Sequence, residues 1–146
     1  RIPADFQLVA LAGRNETMLQ RLQALAATQP GRLFPQGFTN TIERLMGCAD
    51  LAIGKPGGLT TSECLALGLP LIVFAPIPGQ EERNCDYLLE NGAGLKAVDA
   101  IALEYRVRRL LEQPQRLARL RDNARALGRP QAAVEVLRKV LAEPAG

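Results

Sequence analysis

The sequence predicts an α/β fold, a parallel sheet with helices on both faces. Three observations carry this. Short apolar runs alternate about five times with stretches whose apolar residues recur at helical spacing. The first run, FQLVALA at 6–12, is almost continuously apolar, as in a strand buried on both faces. Glycine and proline fall between these segments as punctuation. Strands joined by helices form βαβ units, which lay parallel strands side by side.

In order, Phe6 to Ala12 reads as a strand and Gly13 turns the chain. Met18, Leu19, Leu22, Leu25 and Ala26 then mark a helix face. Arg32 to Pro35 is a very short strand at most. Asn40 to Met46 reads as a short helix, with Asn40 and Glu43 spaced as a capping box. Asp50 to Ile53 is a strand, Thr60 to Leu67 a helix, and Leu71 to Phe74 a strand. Glu81 to Glu90 is a helix stopped by Asn91-Gly92. Gly94 to Ala97 is the last strand. Helices follow near 100–112, 114–127 and 130–142, with Gly128 as a cap and Pro130 in the first turn of the last.

Composition bounds the function. The chain has 146 residues, 47% hydrophobic and 23% charged, enough for one core and too apolar for a disordered segment. We read residues 1–146 as a single domain, with 100–146 as its C-terminal helices. The net charge of +3 does not point to a nucleic-acid partner. There is no histidine, which excludes within this chain a Ser-His-Asp triad, a Cys-His pair, a His-ligated metal and a His base. Cys48, Cys64 and Cys85 form no CxxC and no even framework, so they read as buried thiols of a reducing compartment. The apolar stretch from Leu65 to Ile77 is interrupted by Gly68, Pro70 and Pro76, too broken to span a bilayer. No signal peptide is visible, and a start at Arg1-Ile2-Pro3 reads as mid-protein sequence, a fragment of a longer chain.

Ligands of parallel sheets bind beyond the carboxyl ends of the strands, so the loops after Ile53 and Phe74 are the places to look. The first reads Gly54-Lys55-Pro56-Gly57-Gly58-Leu59-Thr60-Thr61-Ser62-Glu63. Adjacent glycines admit a close ligand, and a helix N-terminus with Lys55 beside it suits a phosphate. A tight strand-to-helix turn explains the same residues equally well. Thr60 and Glu63 fit a capping box, and Glu63 at the third helical position could also accept a sugar hydroxyl.

The second loop reads Pro76-Ile77-Pro78-Gly79-Gln80-Glu81-Glu82-Arg83-Asn84. Its side chains offer the mixed donors and acceptors that sugar hydroxyls need, although an exposed helix start accounts for them too, and taken alone accounts for them better. Between a strand and a helix, Gly37-Phe38-Thr39 offers an aromatic that packs on a base or belongs to the core.

Charge is uneven: residues 1–99 carry eight basic and ten acidic residues, residues 100–146 ten and five. Arg106, Arg108, Arg109, Arg116, Arg119, Arg121, Arg125 and Arg129 would suit anionic lipid. A solvated helix surface over Leu117, Leu120, Ala124 and Leu127 is the favoured reading.

Together, KPGGLTTSE and PIPGQEERN, in this order and spacing, resemble the donor-binding C-terminal half of a GT-B glycosyltransferase. The type is that of the diacylglycerol glucosyltransferases and monogalactosyldiacylglycerol synthases. The chain is more distantly similar to the enzyme that adds N-acetylglucosamine to the peptidoglycan lipid precursor. The resemblance runs from about Phe6 to about Leu141.

It implies one Rossmann-like half of a two-half fold, with the first strand and its glycine-rich loop missing. It also implies an inverting hexosyl transfer from a UDP-sugar to a lipid acceptor such as diacylglycerol. Phe38 and Thr39 are then expected at the uracil and Glu63 at the ribose. Gly57, Gly58, Leu59 and Thr60 lie beside the diphosphate and sugar, with Lys55 as a diphosphate partner. Gln80, Glu81, Arg83 and Asn84 lie near the donor sugar.

The catalytic base is unknown and is expected in the absent N-terminal half, which also takes the acceptor. No metal and no cofactor beyond the donor are expected. The fragment alone is expected to be inactive. The protein would work in the cytoplasm, peripherally on the membrane face. Two other readings stand: a sugar-nucleotide-binding module without turnover, and half of a UDP-sugar epimerase.

Overall fold

The computed structural model describes residue 2 and residues 5–142, in two compact units, Arg1–Arg44 and Leu45–Gly146. The first unit holds strand β1 (Leu8–Gly13), helix α1 (Glu16–Ala27), strand β2 (Leu33–Gly37) and the start of helix α2 (Ile42–Cys48). The strands pair in parallel, Leu8 against Leu33 through Leu11 against Gln36, with a slip before Gly13 meets Gly37. Asn15 starts α1: its side-chain oxygen accepts from the Met18 N–H at 2.9 Å, and Glu16 adds a favourable charge to the first turn.

Two expectations change here. The second strand has five residues, not a vestige, because Pro35 needs no N–H partner on a strand hydrogen-bonded to β1 alone. Leu8, Val9 and Leu11 are 42%, 44% and 46% exposed, so the apolar run is not buried on both faces. A short unit with two strands and one full helix has too little chain to cover both sides of its sheet.

The second unit contains β3 (Ala52–Gly54), α3 (Gly58–Ala66), β4 (Leu71–Phe74), α4 (Gln80–Glu90) and β5 (Gly94–Ala97). It ends with α5 (Ala100–Glu112), α6 (Pro114–Leu127) and α7 (Ala132–Ala142). The sheet order is β3-β4-β5, all parallel. β4 is central, and its side chains alternate between two cores. Leu71 and Val73 pack with Cys64, Leu65, Leu69, Cys85, Leu88 and Ala93 on the α3 and α4 side. Ile72 packs with Ala97, Leu110 and Leu120 on the α5 side. Helix α6 supplies Leu120 to one core and Ala124 to the other. The expected helices on both faces are therefore present.

Helix ends differ in informative ways. Helix α2 begins at Ile42, so Asn40 and Glu43 fall one residue out of capping register; the Thr39 hydroxyl instead accepts from the Thr41 N–H at 3.1 Å. Helix α4 ends as read: Gly92 takes φ +63, and the Ala93 N–H bonds back to Leu88 O at 2.9 Å. Gly128 follows α6 with φ −65, an ordinary backbone conformation. Its reason is proximity, since a Cβ there would sit 2.2 Å from Leu65 O. Pro130 lies in the link before α7 and not in its first turn.

Candidate functional site

The site grows from the carboxyl ends of β3 and β4. Strand β3 stops at Gly54, and three residues, Lys55-Pro56-Gly57, lead into α3. Strand β4 stops at Phe74, and Ala75 to Gly79 lead into α4. These strands are parallel neighbours, so both helix N-termini open on the same edge of the sheet. The free N–H groups and positive dipole ends there suit an anion.

Helix α3 begins at Gly58, two residues before the expected Thr60, with Gly57 as its cap and no side-chain cap bond. The capping box is thereby excluded, because Glu63 is the sixth helical residue and not the third. Glu63 instead shares the exposed face of α3 with Leu59 and Thr60, at the spacings that bring helical side chains together. Leu59 is 81% exposed. The opposite face buries Thr61, Cys64 and Leu65. One face anchors the helix and the other carries residues named by the sequence.

The two loops are bonded to each other. Lys55 Nζ donates to Ala75 O at 2.7 Å and lies 3.8 Å from Glu81 Oε2. Glu81 Oε2 accepts from the Ile77 N–H at 2.8 Å. Asn84 Nδ2 donates to Pro56 O at 2.8 Å. Ala75 has φ +43 and Gly79 φ +107, so the β4–α4 loop bends sharply at both ends. Gln80 and Arg83 remain exposed, one helical turn apart on α4, while Glu81 and Asn84 are half-buried. The second unit thus gathers Lys55, Gly57, Gly58, Leu59, Thr60, Glu63, Gln80, Glu81, Arg83 and Asn84 on two adjoining loop-and-helix starts.

Phe38 and Thr39 belong to the first unit, in the loop after β2. Phe38 is 62% exposed, which removes the core reading. The Arg14 guanidinium sits 4.7 Å from the centre of its ring. Thr39 Oγ1 is occupied locally, 3.1 Å from Thr41 Oγ1. Arg14 is a residue the sequence reading missed. The signal was available, because Gly13-Arg14-Asn15 also follows the carboxyl end of a strand.

The two buried thiols offer no nucleophile. Burial, helped by the neighbouring Glu63 carboxylate, pushes the Cys64 thiol up to about 11. Burial raises Cys85 as well. Cys48 is exposed at the end of α2, contrary to the expectation that all three are buried. Among the described residues no cluster of three or more His, Cys, Asp or Glu could hold a metal ion, and no helix is long and apolar enough to cross a membrane.

The arginines of α5 and α6 do not form one exposed face. Arg106, Arg108, Arg109, Arg116 and Arg121 are half-buried, and Arg121 bonds Asp50 Oδ1 at 2.7 Å. Arg119 and Arg125 are exposed, as is Arg129 in the link after α6.

The family model for glycosyl transferases group 1 matches residues 5–127. A processive diacylglycerol beta-glucosyltransferase of Bacillus cereus (strain AH187) is 33% identical over 139 residues, covering 95% of this chain and 36% of the relative. Its counterpart in Bacillus anthracis (strain CDC 684 / NRRL 3495) is 32% identical over the same length. Among solved structures, Acinetobacter baumannii MurG superposes with a TM-score of 0.73 at 21% identity, over 96% of this chain and 43% of that one. The Streptomyces sp. SF2575 glycosyltransferase SsfS6, complexed with thymidine diphosphate, gives 0.56 at 15% identity, over 94% of this chain and 43% of that one. The chain spans about a third of the length of the curated relatives it matches.

Proposed function

From the premise that this chain belongs to the group 1 glycosyl transferases and has the Rossmann-like fold of the C-terminal half of a GT-B enzyme, we propose that it holds the nucleotide-sugar donor of an inverting transfer. The donor is a UDP-hexose and the acceptor a lipid such as diacylglycerol, the acceptor class named for its Bacillus relatives. One observation supports this above the others. Two helix N-termini open side by side at the carboxyl ends of parallel strands, and Glu63 stands on the exposed face of the first.

The chemistry follows from that arrangement. Sugar transfer leaves a nucleoside diphosphate, and the charge that develops on it sets much of the barrier. The free N–H groups of the first turn of α3 and the dipole behind them stabilise that charge where it forms. Donors already fixed in a folded backbone do this without reorganisation; one such donor is typically worth about a hundredfold or more in rate. Gly57 and Gly58 keep the approach open, and no neighbouring atom lies within 4 Å of where a side chain at Gly57 would begin. Lys55 is held at the loop by Ala75 O, beside the Glu81 carboxylate, and brings its ammonium group to the same edge. Thr60 adds a hydroxyl on the exposed face.

The ribose hydroxyls are donors, and the Glu63 carboxylate, whose oxygens only accept, is suited to take both. Gln80 and Arg83 offer exposed polar groups to the hexose. The first unit, taken by itself, carries an exposed aromatic ring, Phe38, with the Arg14 guanidinium 4.7 Å from its centre. No residue of this chain is assigned as the base that deprotonates the acceptor; the resemblance assigns that role to the acceptor-binding half of the family's enzymes. A lipid acceptor places the work at a membrane surface, on the cytoplasmic side where nucleotide sugars are made.

The test is transfer of labelled glucose from UDP-glucose to diacylglycerol by the intact protein, with the anomer of the product read by NMR. The reading expects a β-linked product from the α-linked donor. Retention of configuration, or transfer with no dependence on a nucleotide donor, contradicts it.

A further inference from the structure

We infer that the start of α5 and the loop beside it form a contact with an anionic lipid bilayer, through Val98, Ile101 and Tyr105 together with Ile77 of the neighbouring loop. The inference rests on the lipid acceptor proposed above, and it adds the face of the second unit that meets the lipid.

Strand β5 ends at Ala97, on the same edge of the sheet as the ends of β3 and β4, and α5 starts at Ala100. The β4–α4 loop is joined to this one, since the Ala75 N–H donates to Ala97 O at 3.1 Å. Large apolar side chains gather here. Val98 is 66% exposed, Ile101 82%, Tyr105 54% and Ile77 56%. Single exposed apolar residues need no explanation, but a group of them at one edge marks an interaction surface.

The core does not use these side chains. Helix α5 packs inward through Leu103, Val107 and Leu110. Ile101 and Tyr105, one turn apart, lie together on its outward side. Asp99 fixes the start of the helix, its Oδ1 accepting from the Ala102 N–H at 2.7 Å. The Asp99 charge is set against the positive end of α5. Ile101 is therefore presented on a capped helical turn.

The chemistry around the patch favours a bilayer over a second protein. Tyrosine, apolar in the ring and polar at its tip, suits the boundary between lipid and water. The Arg106 guanidinium lies 5.9 Å from the centre of the Tyr105 ring. Arg108 and Arg109 follow three and four residues beyond Tyr105, so they continue the same side of α5. Both are half-buried, and long arginine stems can lie along apolar surface while the charged ends reach lipid phosphates. Helices α5 and α6 together carry seven arginines and three acidic residues. An apolar tip with basic residues behind it is the pattern of an interfacial anchor. A bilayer at this edge also lies beside the two loops of the donor site, where a lipid hydroxyl has to arrive.

The test is flotation of the intact protein with vesicles of phosphatidylcholine alone, and with vesicles of phosphatidylcholine and phosphatidylglycerol in equal parts. Val98→Ser combined with Ile101→Ser is expected to lower the partition constant on the mixed vesicles about tenfold, since withdrawing one such side chain from water is worth about that factor. Arg109→Gln is expected to weaken binding to the mixed vesicles alone, and added salt to do the same. Leu67→Ser, just past the far end of α3 and 43% exposed, is expected to change nothing. The melting temperature and the affinity for uridine diphosphate, both measured without vesicles, are expected to stay those of the unaltered protein. Vesicle binding untouched by the serine pair overturns the inference, as does an equal loss from Leu67→Ser. So does a lower melting temperature with vesicle binding unchanged, which means that another part of the protein covers these side chains. An unaltered protein that binds the mixed vesicles but no uridine diphosphate removes the donor reading, while the serine pair still decides the bilayer contact.

Discussion

A methyl group at Gly58 would stand 3.6 Å from Nε2 of Gln80, an ordinary van der Waals contact, and Gly58 has no positive φ to protect. The first residue of α3 and the first residue of α4 therefore face each other with room for one carbon. Gly58→Ala is expected to bind donor nearly as well as the unaltered protein. Gly58→Val adds two branches at the mouth of the proposed site and is expected to abolish transfer while leaving the helix content intact. Kinetics with circular dichroism check this; near-normal transfer by the valine variant would remove this loop from the site.

Glu63→Gln separates ligand contact from fold stability. Glu63 is exposed and lies in the second turn of α3, so it caps nothing. Removing its charge is expected to weaken uridine diphosphate by about 1.5–3 kcal/mol, the range for hydrogen bonds to charged groups, with the melting temperature unchanged. A lower melting temperature at constant affinity would return Glu63 to a structural role.

These two expectations depend on features that the sequence displayed unevenly. Leu71 to Phe74 was legible to the residue as an apolar run with two β-branched residues directly after Pro70, and Gly94 to Ala97 because it follows the Asn91-Gly92 helix stop. The start of α3 was not. Thr60 and Glu63 mimic a capping box, and two glycines argue against helix, yet burial of Thr61, Cys64 and Leu65 pulls the first turn back to Gly58. The residue types of the site were legible, and so was their place beyond strand ends. Their connections were not, since Lys55 and Asn84 bond to the carbonyls of Ala75 and Pro56, and a backbone carbonyl carries no residue-specific signature. Arg14 was overlooked because its partner Phe38 lies a whole strand and helix away in sequence.

Gly128→Ala tests the packing of α6 on α3. The new Cβ would lie 2.2 Å from Leu65 O and 3.2 Å from Ala66 Cα, both backbone atoms, so the helices must part. Overpacking of this kind costs about 1–3 kcal/mol. A clear fall in melting temperature, with donor affinity retained at the folded temperature, is the expected outcome of thermal denaturation and titration.

The cysteines give a prediction in pH. The Cys64 thiol is raised from 9.0 to about 11 in the folded chain, so the unfolded chain releases this proton first as pH climbs. Its contribution to stability is whole below about pH 9 and is lost as pH rises toward 11. The melting temperature is expected to fall across that window, and to fall less in Cys64→Ala. A thiol reagent at pH 8 is expected to label exposed Cys48 quickly and Cys64 and Cys85 only on unfolding.

The central claim is that α3 presents its N-terminus to the diphosphate of the donor. A crystal structure of the intact protein with uridine diphosphate tests it most directly. The account expects diphosphate oxygens within hydrogen-bond distance of the N–H groups of Leu59 and Thr60, and ribose hydroxyls on the Glu63 carboxylate. A nucleotide bound with its diphosphate away from the first turn of α3, and with Glu63 facing solvent, would contradict it.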